Sequence, residues 1–421
     1  MPDLKISANV RIKTIPEDFR VEERLSVQPK ARGPYALYRV EKRNITTLEA
    51  VQKLSRLLKV KPSAIVFPAL KDKVAVAIQH CTVKAPARSI PREIKNASIS
   101  AELLGYLEHH LSPRDLAENK FIVTVREIPG EEAVRVQERF KLIGSQGLPN
   151  YFDFQRFGSW SKSLGFPGKL LLLGDWEGVL RAYLAEPLLG DPPAVLRLKR
   201  LARENWGNWP LLKEHAPKGN LRSVLTFLCD HPADFKRAVN LITPRILSLW
   251  LSAYQSFLWN CVASFILERL LPDKTQLKYP FGEFVFPRWP LPAEVLGNLK
   301  GLEIPLPSAK AKPEGIVAEA FSSFLAKEGL RPETLKVRGV ERAFLAKGTR
   351  ALWVVPKEPK ILEEGEDELF PGHRKIVLSF SLPPGSYATL LFAAFEGRIW
   401  QGRKPRLKSS RNWVKRAYRE A

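Results

Sequence analysis

The sequence predicts an α+β protein in which a mainly antiparallel sheet is split by a largely helical insertion. Three observations lead there. Over the first 158 residues, alternating apolar runs mix with two amphipathic helical patterns and hairpin-length links. That order suits an antiparallel sheet better than a doubly wound parallel one. After Gly158 helical periodicity takes over, and from Gly339 strand-like runs return. The expected layout is a sheet domain over 1–158 and 339–400, an inserted domain over 159–338, and a basic tail over 401–421.

The elements follow in order. Pro16 opens a turn, after which Phe19 and Val21 alternate as on a strand with one buried face. Residues 35–40 make a second strand. Thr46 or Thr47 caps a helix whose apolar stripe runs through Leu48, Val51, Leu54 and Leu58. Two strand-like runs, 65–70 and 74–83, flank a charged break, and residues 99–107 form a further strand. Residues 119–126 alternate with Phe121, Val123 and Val125 on one face, and an amphipathic helix covers 131–143. In the insertion, 169–184 and 194–206 read as helices. A long helix opens at Thr243, a good N-cap, with Pro244 suited to its first position. Its core stripe is Leu247, Trp250, Leu251, Tyr254, Leu258, Cys261 and Phe265. Because Arg245, Gln255, Asn260 and Glu268 interrupt the apolar run 242–271, a buried amphipathic helix is expected there in place of a membrane span. Short strands are expected over 279–313, a helix over 316–329, and strand character at 351–355, 375–380 and 382–389.

Composition narrows the function. Lys and Arg number 67 against 44 Asp and Glu, a net charge of +23 over 421 residues. Such a field attracts polyanions, nucleic acid first and acidic membrane surfaces second. Three scattered cysteines, Cys81, Cys229 and Cys261, fit a reducing cytoplasm and neither a disulfide scaffold nor a zinc site. The six histidines show no ligand spacing, and no glycine-rich nucleotide loop is present. No metal, no nucleotide cofactor and no membrane attachment are therefore expected.

One stretch stands out, Ile65 to Gln79, where Lys71, Asp72 and Lys73 interrupt two apolar runs. Read locally, it is either a charged hairpin turn or a carboxylate placed at the edge of a pocket between two cations. Both lysines would balance the carboxylate if they lie near it. Adjacent residues of an extended chain point to opposite faces, so they can equally hold RNA phosphates.

Four separated segments together resemble the TruD family of RNA pseudouridine synthases. They are Pro16 to Glu23 (PEDFRVEE), Lys71-Asp72-Lys73 with Ala75 and Gln79, Asn119-Lys-Phe121, and Asn150 to Gly158 (NYFDFQRFG). Ser252 to Asn260 and Leu382 to Thr389 match two further family segments in the same order. The resemblance implies a pseudouridine-synthase catalytic fold with a family-specific inserted domain, tRNA as partner, uridine 13 as target, and no cofactor. Carried over by position, it implies Asp72 as the catalytic aspartate. It places Phe19, Asn119, Phe121 and Tyr387 around the target base, with Lys13, Glu23 and Lys71 as charged neighbours. Ala69, Ala77 and Asp153 depart from the family pattern. The basic tail lies beyond the matched region.

The chemistry suits those residues. Converting uridine to pseudouridine breaks the N1–C1′ bond, turns the uracil and rejoins it through C5, so no donor group is needed. A carboxylate can stabilise charge at C1′, attack C1′, or accept a sugar proton. Tyr387 or Phe121 can stack on an extruded base, and Asn119 can hydrogen-bond its edge. Two other readings share these residues: a non-catalytic RNA-binding or chaperone protein, and a hydrolase that releases free uracil.

Overall fold

A computed structural model describes residues 11–84, 90–188, 190–340, 343–395 and 400–401. Within them the chain forms two compact units, one from residues 11–148 with 354–401 and the other from 149–353. The basic tail expected from sequence lies, from 402 onward, outside the described residues.

The first unit is built on an eleven-stranded sheet. Its strands are β1 (Arg11–Ile12), β2 (Phe19–Leu25), β3 (Tyr35–Arg43), β4 (Ile65–Val66), β5 (Val76–Val83), β6 (Glu93–Lys95), β7 (Ile99–Leu107), β8 (Leu116–Ile128), β9 (Lys357–Glu366), β10 (Arg374–Leu382) and β11 (Trp400–Gln401). The main path runs β9-β10-β8-β2-β5-β3-β7-β6. Along it every pairing is antiparallel except β2 with β5. Helix α1 (Thr47–Leu57) follows β3, and α2 (Ala133–Gln146) follows β8.

Register aligns side chains in rows across the sheet. Lys42, Ala77, Val21, Phe121 and Phe380 are successive partners across five strands. The next row on that face runs Val40, Gln79, Glu23, Asn119 and Leu382. Ala50 and Leu54 of α1 pack on Tyr38, Val40 and Cys81. Phe140 of α2 meets Phe380, with ring centroids 6.1 Å apart. Both helices thus lie on the face that carries these two rows.

Thr46 caps α1, its hydroxyl accepting from the Glu49 amide at 3.1 Å while the Glu49 carboxylate accepts from the Thr46 amide. Within the expected stripe of α1, Leu54 and Leu58 are buried but Leu48 is 48% exposed, its place in the core taken by Ala50. β9 escaped the sequence reading because KEPKILEEGE has no apolar alternation; it is an exposed, charged edge strand. Beyond Leu382, the last residue of β10, the segment 383–389 is no strand: a turn leads into the helix Ala388–Ala393.

The second unit is mostly helical and centres on the helix Pro244–Leu270. It is buried on more than one face, including Trp259, Val262 and Ala263 outside the expected stripe, so it is a core helix more than an amphipathic one. Pro244 holds the first position and Thr243 the N-cap, but the Thr243 hydroxyl makes no capping bond and donates instead to Asn220 Oδ1 at 3.1 Å. The region 169–184 is two helices, Pro167–Leu173 and Trp176–Leu184, broken at Gly174. Gly174 adopts φ +73°, where glycine carries little strain, and the Asp175 carboxylate caps the second helix through the Gly178 amide at 2.9 Å. Among the described residues, no helix is long and apolar enough to cross a membrane.

Candidate active site

The charged break is not a tight turn. Ile65 pairs with Val83 and Val66 with Thr82, so residues 67–75 form a long loop between β4 and β5. Polar groups from the sheet face fasten it. The Lys71 amide donates to Thr47 Oγ1 at 3.0 Å, at the start of α1. Lys42 Nζ donates to the Asp72 carbonyl at 2.6 Å and to the Ile45 carbonyl at 2.8 Å. The Asn44 amide donates to the Ala75 carbonyl at 3.2 Å. The Gln79 amide group donates to the Ala69 carbonyl at 2.9 Å.

The loop sets Asp72 with its side chain 30% exposed, so a substrate can reach it. Its Oδ2 accepts from Lys13 Nζ at 2.7 Å. Among the described residues, Oδ1 receives no hydrogen bond and is available for chemistry. Lys13 also lies over the Phe19 ring, its ammonium 4.1 Å from the centroid. Lys13 is buried and takes φ +58°, a left-handed conformation uncommon for a non-glycine residue. Such an arrangement persists only where its surroundings hold it.

The neighbouring turn supplies that support. Arg126 Nε donates to Asp18 Oδ1 at 2.8 Å, and two further guanidinium nitrogens reach Asp367 at 2.8 Å and Glu368 at 2.9 Å. Asp18 Oδ2 accepts from the Ile15 amide at 3.0 Å, clamping the turn two residues beyond Lys13. Burial raises the Asp18 carboxyl above its ordinary value, with Arg126 opposing the shift.

The lysines beside Asp72 do not serve its carboxylate. Lys71 Nζ turns to the sheet, donating to Asn119 Oδ1 at 2.6 Å and pairing with Glu23 Oε1 at 3.0 Å, while Lys73 is exposed. Glu23 is fully buried; its Oε2 accepts the His80 amide at 2.9 Å, and Gln79 Nε2 approaches Oε1 at 3.4 Å. Burial holds the His80 imidazole below its ordinary value, with Glu23 opposing.

The structure therefore gathers the sequence-selected residues into two linked groups, Asp72 with Lys13 and Phe19, and Lys71 with Glu23 and Asn119. Phe121 joins Phe19 at 5.9 Å between centroids and stacks on Phe380 at 5.5 Å. Both Phe19 and Phe121 are buried, so they wall the site as part of the core. Tyr387 is half-buried at the start of the helix Ala388–Ala393, five residues after Leu382, the register partner of Asn119.

Sequence reasoning missed Lys42 and Thr47. Lys42 had a readable signal, since Ala36, Tyr38, Val40 and Lys42 alternate and the last sets a charge on an apolar face. Burial lowers its pKa to about 8, with Asp72 opposing and Lys71 adding to the shift.

The segments 150–158 and 252–260 do different work, inside the second unit. Asn260 exchanges two hydrogen bonds with the Phe152 backbone, at 2.9 and 2.8 Å. Arg156 Nε donates to Ser256 Oγ at 3.1 Å. The Gln255 amide group donates to the carbonyls of Pro307 and Ala346. These polar residues lock the core of that unit. Asp153, which departs from the family pattern, accepts from the Phe154 amide at 2.7 Å and from the Tyr279 hydroxyl at 3.1 Å.

Comparison with known proteins identifies a family and a fold. The model of the tRNA pseudouridine synthase D (TruD) family matches residues 6–283 and 300–395. A tRNA pseudouridine synthase D of Aquifex aeolicus is 32% identical over 391 residues, covering 91% of this chain and 97% of the relative. A Methanocaldococcus jannaschii protein assigned as tRNA pseudouridine synthase D 2 is 31% identical, with 94% of each chain covered. The crystal structure of a Methanosarcina mazei protein assigned to the same type superposes with a TM-score of 0.66 at 24% identity, covering 93% of this chain and 94% of that one. That last likeness establishes the fold.

Proposed function

The chain belongs to the tRNA pseudouridine synthase D (TruD) family, and from that premise we propose that it isomerises uridine to pseudouridine in tRNA, at position 13, in the cytoplasm. Asp72 is the catalytic carboxylate in this reading. The observation that carries it is the arrangement of Asp72 itself: one oxygen held by buried Lys13, its backbone pinned by buried Lys42, and its side chain partly exposed. A fixed carboxylate beside the sugar meets charge that develops at C1′ without reorganising first. Lys13 orients Asp72, while Lys71, Glu23 and Asn119 set the floor beneath an extruded uridine. Tyr387 offers the aromatic face for that base. The second unit is read as the inserted domain that selects the RNA.

Replacing Asp72 with Asn tests the reading. The variant should fold and bind tRNA with nearly native affinity, while nucleoside analysis by mass spectrometry detects no pseudouridine. Retained pseudouridine formation would remove Asp72 from the mechanism, and release of free uracil by the native protein would indicate hydrolysis instead. Mapping the product nucleotide by sequencing decides the position; a pseudouridine elsewhere than 13 corrects the target.

A further inference from the structure

In the second unit, a groove of about 530 Å³ is bordered by the segments 308–310, 335–340 and 343–347. The chain along its rim alternates in exposure. Leu335 and Val337 are buried while Lys336 and Arg338 face solvent; Ala343 and Leu345 are buried while Phe344 between them is 74% exposed. That alternation forces Phe344 outward, and among the described residues its ring has no aromatic or cationic partner. A bare ring at the rim of a groove offers a stacking face to whatever enters it.

The surroundings say what. Lys310, Lys336, Arg338 and Lys347 line the groove, and none makes an ion pair or side-chain hydrogen bond among the described residues. Lys236 adds a fifth cation, its side chain lying against Gly339 so closely that a Cβ there would collide with it. Asn240 Nδ2 fixes the same loop by donating to the Gly339 carbonyl at 3.0 Å. No Asp or Glu is among the described lining residues. These five cations, without an ion pair among the described residues, make the groove attractive to an anion.

We propose that this groove binds an unpaired stretch of RNA, with a base stacked on Phe344 and the adjoining phosphates held by Lys336, Arg338 and their neighbours. Stacking platforms ringed by cations are how sequence-tolerant contacts to single strands are made. The volume lies in the range of small-ligand pockets and admits an extruded nucleotide but no duplex. This contact lies in the unit that does not contain Asp72 and is separate in the chain from the residues proposed to act on the uridine. It rests on the reading of the chain as a tRNA-modifying enzyme only for the identity of the RNA.

The test uses the full chain, with Phe344→Ala, Phe344→Tyr and the double variant Lys336→Ala/Arg338→Ala. Fluorescence anisotropy gives the Kd for tRNA and for an unstructured ten-nucleotide RNA, and steady-state assays give kcat and KM. Phe344→Ala should raise both Kd values and the KM about tenfold, with kcat within twofold and the tyrosine variant close to native. The double variant should lower the salt slope for the oligonucleotide by about 1.4, two contacts at about 0.7 each. Kd changes below twofold in Phe344→Ala would overturn the proposal, as would a polyglutamate peptide binding as tightly as the RNA. If the native chain makes no pseudouridine yet the Kd shifts are seen, the enzymatic reading fails and the groove stands.

Discussion

Lys42 is placed to support the proposed reaction through the loop that it holds. It is 1% exposed, and its ammonium donates to the carbonyls of Asp72 and Ile45. Replacing it with Met leaves both carbonyls without that donor and frees the loop that carries the carboxylate. Misplacement by about 1 Å can cost roughly a hundredfold in rate. Lys42→Met is therefore expected to lower kcat at least tenfold with KM changed less than threefold, measured by steady-state assays over a range of tRNA concentrations. A second signature comes from titration. The folded pKa of about 8 lies below the ordinary 10.5, so the unfolded chain binds more protons between those values. Stability rises with pH wherever the unfolded state binds more protons, so Lys42 makes the fold more stable as pH goes from about 8 to 10.5. The rise in unfolding free energy across that window, measured with urea, should be smaller in Lys42→Met than in the native protein.

At the scale of elements, helices meet the sheet and one another at positions fixed by small residues and buried polar groups. In the second unit, Gly168 begins the helix Pro167–Leu173 against the helix Pro244–Leu270, and a Cβ at Gly168 would lie within van der Waals overlap of the Trp250 carbonyl. The obstacle is backbone, so it cannot swing aside as a flexible side chain would. Gly168→Ala should destabilise the protein by about 1–3 kcal/mol, the usual cost of overpacking, read from the urea midpoint at constant slope. A stability within 0.5 kcal/mol of native, roughly the surface-substitution range, would show that the two helices separate freely. The sheet shows the same dependence on close fit. The loop carrying Asp72 is held where α1 presents Thr47 at its capped N-terminus and β3 presents Lys42 at its end.

For the whole molecule the net charge of +23 dominates. It draws a polyanion from a distance, and in the proposed reaction it offsets the few kcal/mol that extruding a nucleotide costs. Binding that relies on phosphate contacts releases counterions and weakens as salt rises. Affinity for tRNA is expected to drop at least a hundredfold between about 50 and 200 mM salt, measured by filter binding. An affinity independent of salt would mean that recognition is not electrostatic. Burial pushes the thiols of fully buried Cys81 and half-buried Cys261 well above the ordinary value, so alkylating reagents should spare Cys81 and react only slowly with Cys261 in the native fold.

Much of this was legible in the sequence, and the exceptions are instructive. The alternation at Phe19 and Val21, the strand around Phe121, and the helix opening at Pro244 were readable because their patterns are local. Six motifs in order were enough to identify the family and with it the reaction class. Strand β9 was hidden because an exposed edge buries nothing and so carries no apolar pattern. The partner of Asp72 was hidden for a different reason. The sequence offers Lys71 and Lys73 beside it, yet Lys13, 59 positions away, holds the carboxylate, and Lys71 belongs to Glu23 and Asn119. Those pairings follow from strand register, and a slip of one residue would turn every one of these side chains to the other face. Composition and motif order by themselves determined what kind of reaction this chain is built for. Which cation serves which carboxylate was decided only when the parallel step between β2 and β5 brought distant segments into line.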